Sequence, residues 1–415
     1  MFAQYRAAFR APGSAAFCAA AFVARLPTAI YPLGLILLFS QPDGRPGGGA
    51  HGGGFGVAGL LEGCYIIAGG VGNPLVSRLV DRFGQTRLLL PAAVANAASA
   101  LAVVVLYEWR VSDVVIAIPL IGLGLSYLPI GSLVRSRWSY VLAGRPELGS
   151  AYSVESTLDE LIFTIGPIVA AVLSTTVHPL AGIVLGAVLV AVGSMWLRAQ
   201  PGTDPPVAAR TDEVRRSALR HPGMVLLAVA MVGMGGAFGT VEIAVAAFAT
   251  QHGARGRTGL VLAALAIGSG LSGLAYGTRR WRAPLSLRFL VSAVVFLLLL
   301  PLMLLARDVL TVAVLVCVVG FGIAPTLITG FGLVDKLVPA RVLTEGLSWV
   351  GTGLNVGYGV GAAVAGVVAD RHGAHVAFAT PIAAGALSVL AALALRRRIA
   401  HRPAVAVAAA GPPGG

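Results

Sequence analysis

Three acidic residues stand close together in an otherwise apolar stretch: Glu155, Asp159 and Glu160. In a helix, Glu155 and Asp159 share one face because they are four residues apart, whereas Glu160 points elsewhere. An ionisable side chain inside a membrane costs about 3 kcal/mol or more unless it is paired, so we expect Arg135, at the end of the preceding apolar run, to pair with these acids. Two interpretations are equally open. The ion pair between the helices is static, or the arginine pairs with a carboxylate in one state only, so that the carboxylate's pKa changes and couples transport to protons. The candidates for proton coupling are Arg135, Asp159 and Glu160.

Two further charges fall deep within apolar runs, Arg25 and Glu242. Arg25 is expected either to pair with an internal acid or to bind an anionic group of a substrate. Glu242 is a candidate for a coupling proton or for the substrate cavity, or else a protonated, hydrogen-bonded carboxyl. Tyr127 and Asn355 are isolated polar groups that suit a cavity for an amphipathic molecule or a hydrogen bond between helices. Glu62 lies near the end of its run, where we expect it to meet lipid headgroups.

The elements that must position these residues are membrane helices. Of the 415 residues, 57% are apolar and only 11% are charged, against about 25% charged in soluble proteins, and the mean hydropathy is +0.86. A helix that crosses a bilayer needs about 20 apolar residues. Runs of that length predict an all-α integral membrane protein with twelve transmembrane helices, at residues 15–39, 55–77, 86–107, 111–134, 152–177, 179–197, 222–249, 258–276, 285–305, 309–333, 343–369 and 375–395.

The net charge is +13, and the basic residues are spread unequally between the two predicted sides of the membrane. If the connections between the runs alternate sides, most of the 30 Lys and Arg residues lie on the side of the two termini, and the other side holds only Arg45, Arg110, Arg255, Arg257, Arg307 and Arg371. Positive charge marks the cytoplasmic side of a membrane. We therefore expect both termini in the cytoplasm, contacts with membrane lipids, and no nucleic-acid partner.

The second half of the chain resembles the first. A shift of 195 positions places Gly166 on Gly361 and Glu160 on Asn355. An internal duplication of this kind is typical of secondary transporters. It predicts two pseudo-symmetric six-helix bundles, with a first bundle at 1–197, a cytoplasmic linker at 198–221, a second bundle at 222–398 and a disordered tail at 399–415.

Small residues recur at helical spacing. Gly353, Gly357 and Gly361 lie on one stripe, which lets a second helix approach closely. We expect this stripe to serve helix packing, with a hinge as the alternative. His372 and His375 flank a predicted outer connection with Asp370, but no fourth ligand is at hand for a metal site.

A short polar turn separates the second and third runs. It reads Ser77-Arg-Leu-Val-Asp81-Arg82-Phe-Gly84-Gln-Thr-Arg87. This pattern resembles the loop motif of the major facilitator superfamily, Gly-x-x-x-Asp-Arg-x-Gly-Arg-Arg, with Ser77 in place of the leading glycine and the basic pair displaced to Arg87. The resemblance extends over residues 15–398.

This resemblance implies roles for particular residues. Asp81, Arg82, Gly84 and Arg87 would form a conformational latch that holds helix ends together when the cytoplasmic side is closed, and helices 1, 4, 7 and 10 would line the cavity. The pair Gly166-Pro167, followed by small residues, resembles the helix 5 pattern of drug/proton antiporters, in which glycines stand where this chain has alanines. Arg135 resembles a basic residue that this family associates with proton coupling.

The expected function is secondary active transport, with proton-coupled efflux of a small organic or drug-like molecule by alternating access. The alternative is a proton-coupled importer of an anionic metabolite or nutrient. No ATP-binding loop and no Ser/His/Asp set is evident in the sequence, so we expect no enzyme activity, no cofactor and no metal. The partners are then a small-molecule substrate and protons, and the protein is expected to be a monomer that crosses the inner (plasma) membrane many times.

Overall fold

The structure is a computed structural model that describes residues 9–41, 54–145, 147–207, 218–221, 223–279, 281–339 and 342–400, without the side chains of Asp81, Thr344 and Ala400. Within these residues, twelve helical spans are long and apolar enough to cross a membrane. The predicted twelve-helix, all-α fold is confirmed. Most of the predicted tail, and the part of the predicted linker at 208–217, lie outside the described residues.

The spans are numbered in chain order. They are α1 (Ser14–Phe39), α2 (Phe55–Val80), α3 (Gln85–Glu108), α4 (Asp113–Val141), α5 (Ser150–Val177), α6 (Ala181–Arg198), α7 (Met224–Gln251), α8 (Arg255–Thr278), α9 (Leu285–Leu305), α10 (Val309–Leu337), α11 (Glu345–His372) and α12 (Ala374–Ile399). The helix of α2 continues to Phe83, and the helix of α11 begins at Leu343.

Two spans of the first half are interrupted next to the residues that carry charge or polarity. In α1 one helix ends at Arg25 and the next begins at Pro27; proline lacks the N–H of a helical hydrogen bond and its ring crowds the preceding turn. In α4 the helix stops at Leu125 and resumes at Ile130, directly after Pro129. The breaks free backbone carbonyls at mid-membrane depth, and such groups need internal partners.

The most buried spans are α1 and α7. Apart from Arg25 and Glu242, both are largely apolar on all sides, which is typical of a helix surrounded by other helices. The second part of α1 (Pro27–Phe39) is buried at nearly every position, and most residues of α7 are buried as well. These two helices form the centres of the two halves.

The two halves meet mainly through two helix pairs, α2 with α11 and α5 with α8. We call the end of the bundle that holds Gly84, Arg145 and Arg198 the basic end, and the end that holds Ser40 and His252 the opposite end. Tight contacts between the halves lie toward the opposite end: the backbone of Gly59 faces that of Ala362, and Gly259 faces Pro167. Nearer the basic end, apolar residues of α2 are exposed.

Candidate functional site

Four charged residues from three helices form one connected group, which we call the charge cluster: Arg25 (α1), Arg135 (α4), Glu155 and Asp159 (α5). Arg25 donates to Glu155 at 2.5 Å and to Asp159 at 2.8 Å. Asp159 also accepts from Arg135 at 2.7 Å. The two guanidinium groups and two carboxylates balance in charge, which is the condition for placing them together in an apolar interior.

Burial changes along the charge cluster. The side chains of Arg25 and Glu155 are 5% and 0% exposed, whereas those of Asp159 and Arg135 are 33% and 41% exposed. Glu155 accepts further hydrogen bonds from the indole N–H of Trp138 at 2.8 Å and from the thiol of Cys18 at 3.3 Å. One side of the cluster is therefore fixed in the protein interior, and the Arg135–Asp159 side is accessible.

Tyr127 holds the interrupted parts of α1 and α4 together. Its hydroxyl donates to the carbonyl of Ala24 at 2.9 Å and lies 2.7 Å from the hydroxyl of Thr28, on the two sides of the break in α1. The bond gives a partner to a carbonyl beside the break. Tyr127, predicted to line a cavity, thus lies beside the charge cluster and bonds to the helix that carries Arg25.

A second group of acids lies between the halves, with Glu62 fully buried and Glu242 half-buried. The hydroxyl of Tyr358 (α11) lies 2.9 Å from Oε1 of Glu62 (α2), and it also contacts Oε2 of Glu242 (α7). Glu62 is 0% exposed, so the expectation that it meets lipid headgroups is wrong. The sequence gives no sign of this meeting, because the three residues come from three helices in two halves of the chain.

Glu160 and Asn355, which the duplication aligns, occupy corresponding places. A side chain at Gly270 of α8 would lie 3.2 Å from the Glu160 carboxylate, and one at Gly70 of α2 would lie 2.5 Å from Asn355. Thr352, one turn before Asn355, donates to the carbonyl of Gly70 at 2.8 Å. Both residues lie on the basic-end side of the tight contacts between the halves.

At the opposite end, two charged side chains bind helix ends across the halves. Asp370 accepts from the backbone N–H groups of Phe55 at 2.9 Å and Gly56 at 2.7 Å, in the first turn of α2. Arg255 donates to the carbonyl of Leu37 and, at 3.1 Å, to the hydroxyl of Ser40, at the end of α1. An anion at a helix N-terminus and a cation at a C-terminus both interact favourably with the helix dipole.

The predicted latch lies at the basic end, and Gly84 separates α2 from α3 with a φ of 84°. Arg82 lies over the ring of Phe83 at 5.1 Å, and Arg87 is exposed. The side chain of Asp81 lies outside the described part of the chain. The latch is an expectation for a state closed at the basic end, so its role stays a prediction.

The linker binds to this same turn. Asp204 accepts from the N–H of Thr86 at 3.0 Å and from its hydroxyl at 2.6 Å, which caps the start of α3. The buried Arg137 donates to Thr203 at 2.7 Å and to Gln85 at 2.9 Å. These contacts attach the first part of the linker to the first half.

The predicted packing glycines lie against backbone. A side chain at Gly353, Gly357 or Gly361 would come under 3.0 Å from a carbonyl oxygen of α7, at Ala228, Val232 or Gly236 respectively. A side chain at Gly166 would lie 2.5 Å from the Cβ of Ala29 of α1, and the carbonyl of Pro167 faces Gly259. No group of three or more metal-ligating side chains occurs in the described residues.

The sequence of this chain can be compared with those of known protein families. The sequence profile of the Major Facilitator Superfamily matches residues 13–344. Among curated protein sequences, none matches this chain significantly.

Solved structures with a similar fold are distant in sequence. The nucleoside transporter NupG superposes with a TM-score of 0.68 at 13% identity, over 94% of this chain and 99% of that one. The peptide transporter POT gives 0.69 at 14% identity, over 94% of both chains. A bacterial homologue of the iron transporter ferroportin, in an inward-facing state, gives 0.62 at 13% identity, over 91% of this chain and 98% of that one.

These likenesses establish the fold, and the profile match, over more than half of the chain, establishes the family. The twelve helices, the two halves and their contacts through α2–α11 and α5–α8 agree with that assignment. The chain is therefore a membrane transporter that belongs to the Major Facilitator Superfamily.

Proposed function

We propose that this transporter exports a small organic molecule, neutral or cationic, in exchange for protons, by alternating access between two states. The observation that carries the proposal is the charge balance near the centre of the bundle. Both buried or half-buried arginines near the centre, Arg25 and Arg135, are already bound to carboxylates. Within the described residues, Glu62, Glu160 and Glu242 have no ion pair with a basic side chain.

Spare carboxyls near the centre, beside arginines that are already paired, favour cations over anions as cargo. A buried carboxylate without a counter-ion is costly, and it lowers that cost by taking up a proton or a cation. If a proton and a cationic or neutral substrate compete for binding at the same carboxyls, each can be carried only when the other has left, which is the simplest basis of antiport. The resemblance of Gly166-Pro167 to the helix 5 pattern of drug/proton antiporters supports the same direction.

Import of an anionic metabolite is the less favoured function. It needs Arg25 as an anion-binding group, but the Arg25 guanidinium donates to both Glu155 and Asp159 and its side chain is 5% exposed. An anion would have to displace one of these carboxylates. The distribution of arginine supports placement in the plasma membrane with both termini in the cytoplasm.

Transport in proteoliposomes tests the proposal. Purified protein is reconstituted with a pH-sensitive dye inside, and a panel of organic cations, neutral organics and organic anions is added under an imposed pH gradient. We expect a cationic or neutral compound to drive proton movement opposite to its own, and Asp159→Asn to lower the rate. Movement of proton and compound in the same direction, or flux that ignores the pH gradient, would overturn the exchange mechanism.

A further inference from the structure

The contact of Glu62, Glu242 and Tyr358 raises a question of hydrogen count. A tyrosine hydroxyl carries one hydrogen. Here it lies within hydrogen-bond reach of a carboxyl oxygen on each of two glutamates. The hydroxyl can donate to one of them only, so the other oxygen–oxygen contact needs a hydrogen supplied by a carboxyl.

The described surroundings offer the pair no basic side chain as a counter-ion. Glu62 is 0% exposed, and its second carboxyl oxygen, Oε2, is buried without a hydrogen-bond partner. Neither glutamate has an ion pair with a basic side chain in the described structure. Two adjacent ionised carboxylates in such a site would repel each other at low dielectric, and sharing a proton removes most of that cost.

We infer that Glu62 and Glu242, bridged by Tyr358, form one shared proton-binding site whose proton leaves only when the halves separate at the opposite end. The inference rests on the proposed function in that this proton is the coupling ion. Among the acids that the sequence suggests for proton coupling, it selects Glu242. It adds Glu62 and Tyr358, for which the sequence suggests no role in proton coupling.

The position of the site explains why it follows the conformation. Glu62 belongs to the first half, and Glu242 and Tyr358 belong to the second. The neighbouring backbone contacts, Gly63 with Gly359 and Gly59 with Ala362, are among the tightest between the halves. Separation of α2 from α11 must therefore break the bridge and admit water to both carboxyls.

The sign of the pH effect follows from this geometry. The state closed at the opposite end holds a proton on the pair, and the open state, with hydrated and separated carboxylates, does not require one. A ligand favours the state that binds it more tightly. Low pH therefore favours closure at the opposite end, and high pH favours opening there.

The other titratable groups near the pair are phenols and the thiol of Cys64, which lies two residues from Glu62 on α2. Tyr65 lies one turn away on α2, Tyr31 of α1 packs edge-on against Tyr65 with ring centroids 5.7 Å apart, and Tyr127 comes from α4. Phenols ordinarily titrate near 10. Asp370 and Arg255, two of the charged groups at the opposite end, bind helix termini, as described above.

Spin-label distance measurements test the inference without substrate or a gradient. Labels are placed at Trp109→Cys, directly after α3, and at Leu310→Cys in α10. Both positions lie at the opposite end, and the native side chains are 74% and 75% exposed. Cys64 and Cys317 are changed to Ala, and the buried Cys18 is kept. Distance distributions are recorded in nanodiscs between pH 5 and pH 9.

We expect the ratio of closed to open molecules to fall as pH rises, by up to about tenfold per pH unit for one proton. In Glu62→Gln/Glu242→Gln this dependence should be lost, while Glu108→Gln, an exposed carboxyl at the same end, should keep it. A double variant that keeps the full pH dependence, or Glu160→Gln removing it, would overturn the inference.

Two further measurements keep the result interpretable. If the double variant is not monodisperse, Glu242→Gln alone is measured. It should reduce the pH dependence of the closed-to-open ratio to less than half of that of the parent protein, and an unreduced pH dependence overturns the inference. Because the labels report conformation only, a pH-dependent distance in protein without proton-coupled flux would contradict the proposed function alone. A pH-independent distance in protein with coupled flux would contradict this site alone.

Discussion

Asp370, in the last turn of α11, caps the first turn of α2 by accepting the backbone N–H of Phe55 at 2.9 Å. The two residues belong to opposite halves of the chain, so the bond exists only while the halves are together at this end. Its geometry depends on the absence of a side chain at Gly54, where a Cβ would lie 2.6 Å from the Asp370 carboxylate. The first turn of a helix thus serves as the receptor for a charged group from the other half.

We predict that Asp370→Ala shifts the protein toward the state open at the opposite end. Loss of a helix cap costs about 0.5–2 kcal/mol, and because this cap exists only in the closed state, the cost falls on the conformational equilibrium. The closed-to-open ratio should fall by about two- to thirtyfold, measured with the labels at Trp109→Cys and Leu310→Cys. Asp113→Ala, at the same end but within the first half, is the matched control, and an equal shift there would contradict the role of Asp370.

The charge cluster predicts a large stability effect at Arg25. Arg25→Met leaves Glu155 buried without its counter-ion, and removal of one partner of a buried pair costs about 3–5 kcal/mol. Arg135→Met should cost far less, because both Arg135 and Asp159 are partly exposed and water can screen them. Thermal unfolding in detergent compares the two variants.

A compensating change separates a static ion pair from a coupling role. If the contact of Arg25 with Glu155 serves stability, Arg25→Met/Glu155→Gln should recover most of the loss, since no buried charge remains unpaired. Transport that recovers together with stability would indicate a static pair. Stability that recovers while proton-coupled flux stays low would indicate that the charges act in coupling.

Some of these features were predictable from the sequence and others were not. The pairing of Arg135 with an acid of α5 follows from a short connection between neighbouring helices, and the shared face of Glu155 and Asp159 follows from their spacing. The apolar run ends before Asp370 and so predicts an outer connection there, but the helix continues to His372 and the Asp370 carboxylate binds the first turn of α2. The sequence therefore located the helices but not their polar ends.

The contacts between the halves lay beyond sequence reasoning for a physical reason. Glu62 meets Tyr358 only because α2 and α11 pack with one particular register along their axes. That register is set by backbone approaches at glycines such as Gly59 and Gly63, and hydropathy carries no information about it. A glutamate near the end of an apolar run looks like a headgroup contact until the helix opposite it is known.

The linker makes a separate prediction at the basic end. Asp204→Ala removes the side chain that caps α3 through Thr86, at an expected cost of about 1 kcal/mol. Arg137 and Thr203 still attach the linker, so the fold should persist. Limited proteolysis at the neighbouring Val207 should become faster, while Asp335→Ala, an exposed acid at the same end, should leave the rate unchanged.

The glycine stripe of α11 gives the sharpest test of packing. A side chain at Gly357 would meet the carbonyl of Val232 on α7, whereas one at Gly351, on the same helix, would meet nothing within 4 Å. Gly357→Ala must therefore push α7 and α11 apart, at a cost of about 1–3 kcal/mol. Gly351→Ala should leave stability unchanged or raise it slightly, since alanine favours a helix more than glycine does. Thermal unfolding of the two variants in the same detergent measures the difference, and equal stability would show that the helices separate at Gly357 without cost.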